Sequence, residues 1–203
     1  MKMKSLFFAT LYSIVAVLAL SNCAGKKEEA STHDESMHET SADVPQASGG
    51  PQFKVDAAFQ QQLSSLFTAY VKLKDAFVAT DAVKVVAEAA ATQQAFAAVD
   101  MKLLTGAAHN DWMTYASELE GALKEIAASS DIEAQRASFS KLSDNMYKSI
   151  KAYGLGGATA YYEYCPMAFN NQGAYWLSDQ SAVLNPYFGD KMLKCGRVEE
   201  TLN

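Results

Sequence analysis

Two short stretches near the C-terminus hold sulfur at close spacing: Cys165-Pro166-Met167 and Met192-Leu193-Lys194-Cys195. Each turn offers a thiol and a thioether. Such a soft donor set selects copper(I) or silver(I) over ions that prefer oxygen. Zinc fits less well, because two cysteines without a nearby histidine pair leave its tetrahedron incomplete. There is no C-x-x-C, so neither a zinc ribbon nor a thioredoxin-like redox centre is indicated. The same two cysteines also suit a disulfide. Outside the cytoplasm thiols usually pair, and closing a loop of about thirty residues adds roughly 3 kcal/mol of stability. Met167 and Met192 are then packing residues. The residues leave both readings open.

A second pair of donors lies upstream. His109 and Met113 are four residues apart, hence on one face of a helix. His109 also extends backwards the apolar stripe Trp112, Ala116, Leu119, Leu123 and Ile126, where a histidine is usually a cap or a buried hydrogen-bonded residue. As an imidazole–thioether pair at one end of a bundle it would complement the sulfur-bearing tail. The candidate metal ligands are therefore Cys165, Met167, Met192, Cys195, His109 and Met113.

The remaining cysteine bears on the compartment. Lys2 and Lys4 precede an apolar run from Leu6 to Leu20, followed by Ser21-Asn22-Cys23. A short apolar run with basic flanks reads as a secretory signal rather than a membrane span. A cysteine at this place resembles a bacterial lipobox. Residues 1–22 are expected to be a lipoprotein signal peptide and Cys23 the acylated first residue, leaving a chain anchored in the cell envelope, facing the periplasm or the cell surface. Ordinary cleavage with Cys23 as a stray thiol is the alternative.

These donors need a scaffold. Residues 23–55 are polar and charged, with Pro45 and Gly49-Gly50, and carry too little apolar surface to offset the entropy of ordering, so a flexible tether is expected. His33, Met37 and His38 fall within it. From residue 56 the pattern changes. Phe59, Leu63, Leu66, Phe67, Tyr70, Leu73 and Phe77 recur at helical spacing. Thr80-Asp81 offers an N-cap for a second helix with Val83, Val86, Ala90, Ala97, Met101 and Leu104 on its stripe. The Trp112 stripe makes a third helix. Ser130-Asp131-Ile132-Glu133 matches a capping box for a fourth, with Phe139, Leu142, Met146 and Ile150, ending at Gly154. Connections this short make neighbouring helices antiparallel. Residues 154–203 hold six of the eleven glycines. Apart from a possible short strand at 158–164, this tail reads as turns that must dock on the bundle through its aromatics.

The net charge of −6 argues against nucleic acid as a partner, and no basic patch with interleaved aromatics occurs. No nucleophile elbow, H-E-x-x-H, P-loop or dinucleotide fingerprint is present, so catalysis is not indicated.

The segments CPMAFNNQGAYWLS, NPYFG and KMLKCG resemble the C-terminal signature of a bacterial family of exported domains of unknown function. The likeness extends to His109-Asn110-Asp111-Trp112-Met113 and to the segment Asp131–Arg136, and so spans roughly residues 56–203. That family also occurs as an appended domain on CusB-type periplasmic adaptors of copper and silver efflux pumps. The resemblance thus implies copper(I) or silver(I) as the bound ion and an efflux component as a partner. This chain has no room for an adaptor's hairpin and barrel domains, so it is not expected to be the pump component itself.

The sequence thus predicts an all-α protein: an up-down four-helix bundle over residues 56–153 with a mostly irregular tail, 154–203, docked on it. The expected function is copper(I) or silver(I) binding by a membrane-anchored lipoprotein that sequesters the ion or hands it on. The alternative is an interaction lipoprotein stapled by a Cys165–Cys195 disulfide, without metal.

Overall fold

The computed structural model describes residues 49–203. The expected signal peptide, the Cys23 acylation site and the His33, Met37 and His38 segment lie outside the described residues.

Helix α1 (Ala57–Val78) starts at Asp56, whose carboxylate accepts the Ala58 N–H at 2.7 Å. All seven apolar residues expected on its stripe are buried. Helix α2 (Ala82–Ala97) is capped by Asp81, which accepts the Lys84 N–H at 2.9 Å. Its expected stripe is out of phase. Val85, Ala89 and Thr92 are buried, while Val83 is 83% exposed. The helix is so rich in alanine that several faces are about equally apolar, and packing selects among them. It also ends sooner than expected. Asp100 opens a single 3₁₀ turn at Met101–Leu103, which carries Met101 off the helix.

Helix α3 (Gly106–Ala128) buries Trp112, Leu119, Leu123 and Ile126 as expected. Helix α4 (Ile132–Tyr153) is capped by Asp131, which accepts the Glu133 N–H at 3.1 Å. The expected capping box is not formed: Glu133 turns forward to Arg136 at 2.7 Å. Gly154 ends the helix at φ +72°, a conformation that costs glycine little.

The four helices pack pairwise, α1 on α2, α2 on α3 and α3 on α4. Tyr70 and Phe77 of α1 meet Phe139 of α4, with ring centroids 5.3 and 4.6 Å apart. Two contacts fix the direction of α3 against α4. The Tyr153 hydroxyl donates to the Ala108 carbonyl at 2.8 Å, so the end of α4 lies beside the start of α3. Glu125, near the end of α3, meets Ser138 and Lys141, early in α4.

The tail departs from the all-α expectation. It forms a three-stranded antiparallel sheet of β1 (Ala160–Cys165), β2 (Ala174–Ser178) and β3 (Arg197–Leu202), in the order β2-β1-β3. The molecule is mostly helical, with this small sheet packed on α4. Tyr162 of β1 stacks on Tyr147 of α4 at 3.9 Å, and the Leu177 N–H of β2 donates to the Tyr70 hydroxyl at 3.1 Å. A register shift opposite β3 falls between Tyr162 and Glu163, so that Ala160, Glu163 and Cys165 are all buried.

Candidate metal centre

Cys165 is the last residue of β1, in register with Ala174 of β2, and it is buried. The chain returns to it just before β3. Cys195 Sγ stands 3.0 Å from Cys165 Sγ, inside van der Waals contact, and both are free thiols. Two residues bring the return this close. Gly196 lies at φ +142°, and a Cβ there would come within 2.8 Å of the Trp176 ring and 2.9 Å of the Tyr164 carbonyl. Only glycine lets the backbone pass β1 at that separation. Asn185, fully buried, donates from Nδ2 to the Cys195 carbonyl at 2.6 Å. Its Oδ1 accepts the N–H groups of Tyr187 at 2.8 Å and Phe188 at 3.2 Å. One side chain thus ties the Asn185–Gly189 turn to the cysteine.

That turn is in turn anchored to the helices. Arg136 of α4 donates from Nε to the Pro186 carbonyl at 2.9 Å and from Nη2 to Thr80 Oγ1 at 3.1 Å. Met167 follows Cys165 by two residues. Met192 precedes Cys195 by three, and its carbonyl accepts the Cys195 N–H at 3.0 Å. Both methionines line one cavity of about 410 Å³, with Phe169, Tyr187 and Glu133 also in its wall. Met167 is 47% exposed. Three successive residues of this wall, Phe169, Asn170 and Asn171, have φ between +50° and +66°. A left-handed run of non-glycine residues is costly and persists only where its surroundings enforce it.

The electrostatics favour neutral groups. The hydrogen bond to Cys165, then burial and the electrostatic interaction with Cys165, push the Cys195 thiol up to about 11. That thiol is therefore protonated at neutral pH, and an ion that binds it must displace its proton. Glu163, two residues before Cys165, is fully buried, and neither carboxyl oxygen has a hydrogen-bond partner. Burial raises its pKa to about 8 against the opposing charge of Lys74 and the neighbouring Trp176 N–H.

His109 and Met113 are elsewhere. His109 is in the first turn of α3, next to Ala108, which bonds Tyr153 at the end of α4. The Met167–Met192 cavity includes Glu133, in the first turn of α4. Twenty residues of helix separate the two places, about 30 Å at 1.5 Å per residue. The expected composite of all six ligands is thus not assembled: the structure joins Cys165 to Cys195 and Met167 to Met192, and leaves His109 and Met113 at the far end. The reason is strand direction. An extended segment after Gly154 starts beside His109 and runs away from it.

Among the described residues, no three His, Cys, Asp or Glu side chains gather as a metal-holding group. A tetrahedral zinc site or an oxygen cage for a hard ion lacks donors here, whereas a two-sulfur set with thioethers alongside suits a soft monovalent ion.

The helical part carries the detectable kinship. Residues 66–157 match a family described as "Protein of unknown function (DUF3347)". This stretch is a DUF3347 domain. It runs from the middle of α1 to just past α4, and so includes His109, Met113 and Arg136 but ends before Cys165. No curated protein and no solved structure matches the chain. Cys165 ends the first strand of the sheet that follows this domain, and Met167, Met192 and Cys195 lie in the segments between its strands. Asn185 and Gly196, which set their spacing, were not singled out from sequence, although an Asn-Pro pair is a turn signal.

Proposed function

We propose that the protein binds copper(I) or silver(I) at the Cys165–Cys195 pair, with Met167 and Met192 as accessory ligands, and holds the ion or hands it to an efflux component in the cell envelope. The observation that carries this reading is the approach of two free thiols to 3.0 Å beside two thioethers that share one cavity. Thiolates supply affinity. Thioethers bind more weakly, need no deprotonation, and let ligands exchange one at a time, which suits transfer. Met167, half-exposed, is the donor a partner would meet first. The membrane anchor rests on Cys23 and the apolar run before it; Cys23→Ala is expected to move the protein from the membrane to the soluble fraction. The efflux partner rests on the resemblance of the C-terminal segments alone.

The test is a titration of the reduced protein with copper(I) against a chromophoric chelator. Wild type is expected to take about one ion at the pair, and Cys165→Ser/Cys195→Ser to lose at least a hundredfold in affinity while keeping its helical circular dichroism. Equal affinity in the double variant defeats the reading.

The same separation favours a second reading. Two thiolates on one tetrahedral ion with metal–sulfur bonds of 2.3 Å stand about 3.8 Å apart, so a pair at 3.0 Å is already closer than a shared ion requires. A Cys165–Cys195 disulfide would staple the β3 return to β1 and leave the tail as an interaction surface. Thiol counting on protein isolated without reductant separates the two: a disulfide that resists mild reductant and excludes copper(I) supports the staple.

A further inference from the structure

Released from the cysteines, His109 and Met113 meet a different neighbour. The 3₁₀ turn after α2 carries Met101 across to α3, and Met101 and Met113 line one cavity of about 440 Å³ over Trp112 and Phe96. Met101 is 42% and Met113 46% exposed. Only four large hydrophobic side chains are that exposed among the described residues, and three are methionines: these two and Met167. An exposed thioether adapts to apolar partners, and it is equally a ligand for a soft ion. His109 lies one turn before Met113 on the same side of α3. It is half-buried, and its ring makes no hydrogen bond to the protein among the described residues. Two exposed thioethers thus meet at the junction of α2 and α3, with the His109 imidazole one helical turn back along α3.

We propose that Met101, Met113 and His109 form a second site for copper(I) or silver(I), with one nitrogen and two sulfur donors, a bundle length away from the cysteines. The thioethers carry no proton to lose and no charge, so binding here is weaker than at a thiolate pair. Phe53 stacks on Tyr153, and the Phe53 N–H donates to Ala152, so the chain enters the bundle at this same end. The site shares soft-ion chemistry with the thiol pair but none of its residues, and stands if that pair proves to be a disulfide.

The test uses the full chain with Cys165→Ser, Cys195→Ser, Met167→Leu and Met192→Leu, which removes the first site. Silver nitrate in a chloride-free buffer is the probe, and the methionine methyl and histidine ring signals are followed by NMR. The expected result is about one bound silver ion, with the Met101 and Met113 methyls and the His109 ring shifting together while Met146, buried in the core, does not move. Adding Met101→Leu and Met113→Leu should weaken binding at least tenfold with unchanged helical circular dichroism. Absence of silver binding in the first variant overturns the proposal. So does binding that survives loss of Met101 and Met113 and disappears with His33→Ala and His38→Ala.

Discussion

The side-chain amide of Asn185 donates to the main-chain carbonyl of Cys195 at 2.6 Å while its oxygen receives two N–H groups of its own turn. This buried amide connects the helix-anchored turn to the thiol pair, so it sets how far Cys195 stands from Cys165. Asn185→Ala removes three hydrogen bonds from a buried position. The expected loss is about 2–3 kcal/mol of unfolding free energy, read by urea denaturation. The variant should also form the Cys165–Cys195 disulfide more slowly under a mild oxidant. Wild-type stability with an unchanged oxidation rate would show that the turn positions nothing.

Glu163 makes stability depend on pH. Its carboxyl titrates near 4.5 in the unfolded chain and near 8 when folded, so the folded state holds a proton that the unfolded state has released. Its contribution is complete below about pH 4.5 and is lost as pH rises through 8. Glu163→Gln cannot ionise, and should be more stable than wild type at pH 8 by about 1–3 kcal/mol, with the difference shrinking toward pH 5. Thermal denaturation across that range is the measurement. Parallel pH curves for the two proteins would mean that Lys74 keeps Glu163 charged.

Copper(I) affinity should rise with pH. The Cys195 thiol, pushed up to about 11, is protonated throughout the neutral range. Cys195 bound as thiolate then releases one proton, and the apparent association constant grows about tenfold per pH unit. Competition titrations from pH 6 to 8 should give a slope of at least one. A flat profile would point to the thioethers alone.

The wide apolar faces of α1 and α4 were legible because Phe, Leu and Ile at helical spacing allow a single phase. Helix α2 was placed with the wrong face inward because alanine dominates it: Val83 and Val85 carry equal weight in a stripe, and only contact with α1 and α3 decides between them. The sheet was largely missed for a related reason. Tyr161, Tyr162 and Tyr164 do not alternate cleanly, and the register shift after Tyr162 turns Glu163 inward, so the period of two is broken where it would have been read. The approach of Cys165 to Cys195 was expected as one of two outcomes, since two exported thiols near one another invite pairing. Its agents were hidden. Nothing local marks Asn185 as buried or Gly196 as the point where two backbones touch. His109 was grouped with the cysteines by donor type alone; the end of α4 lies beside the start of α3, so the segment after Gly154 leaves from His109 and carries Cys165 away from it.

X-ray absorption at the copper edge tests the central claim most directly. Reduced protein loaded with one equivalent of copper(I) should show a first shell of sulfur alone, two or three atoms, because the thiol pair outcompetes any site of thioether and imidazole. In Cys165→Ser/Cys195→Ser the same measurement should show fewer sulfurs and a nitrogen or oxygen contribution. A wild-type shell already dominated by nitrogen or oxygen, and unchanged in the double variant, would contradict the account.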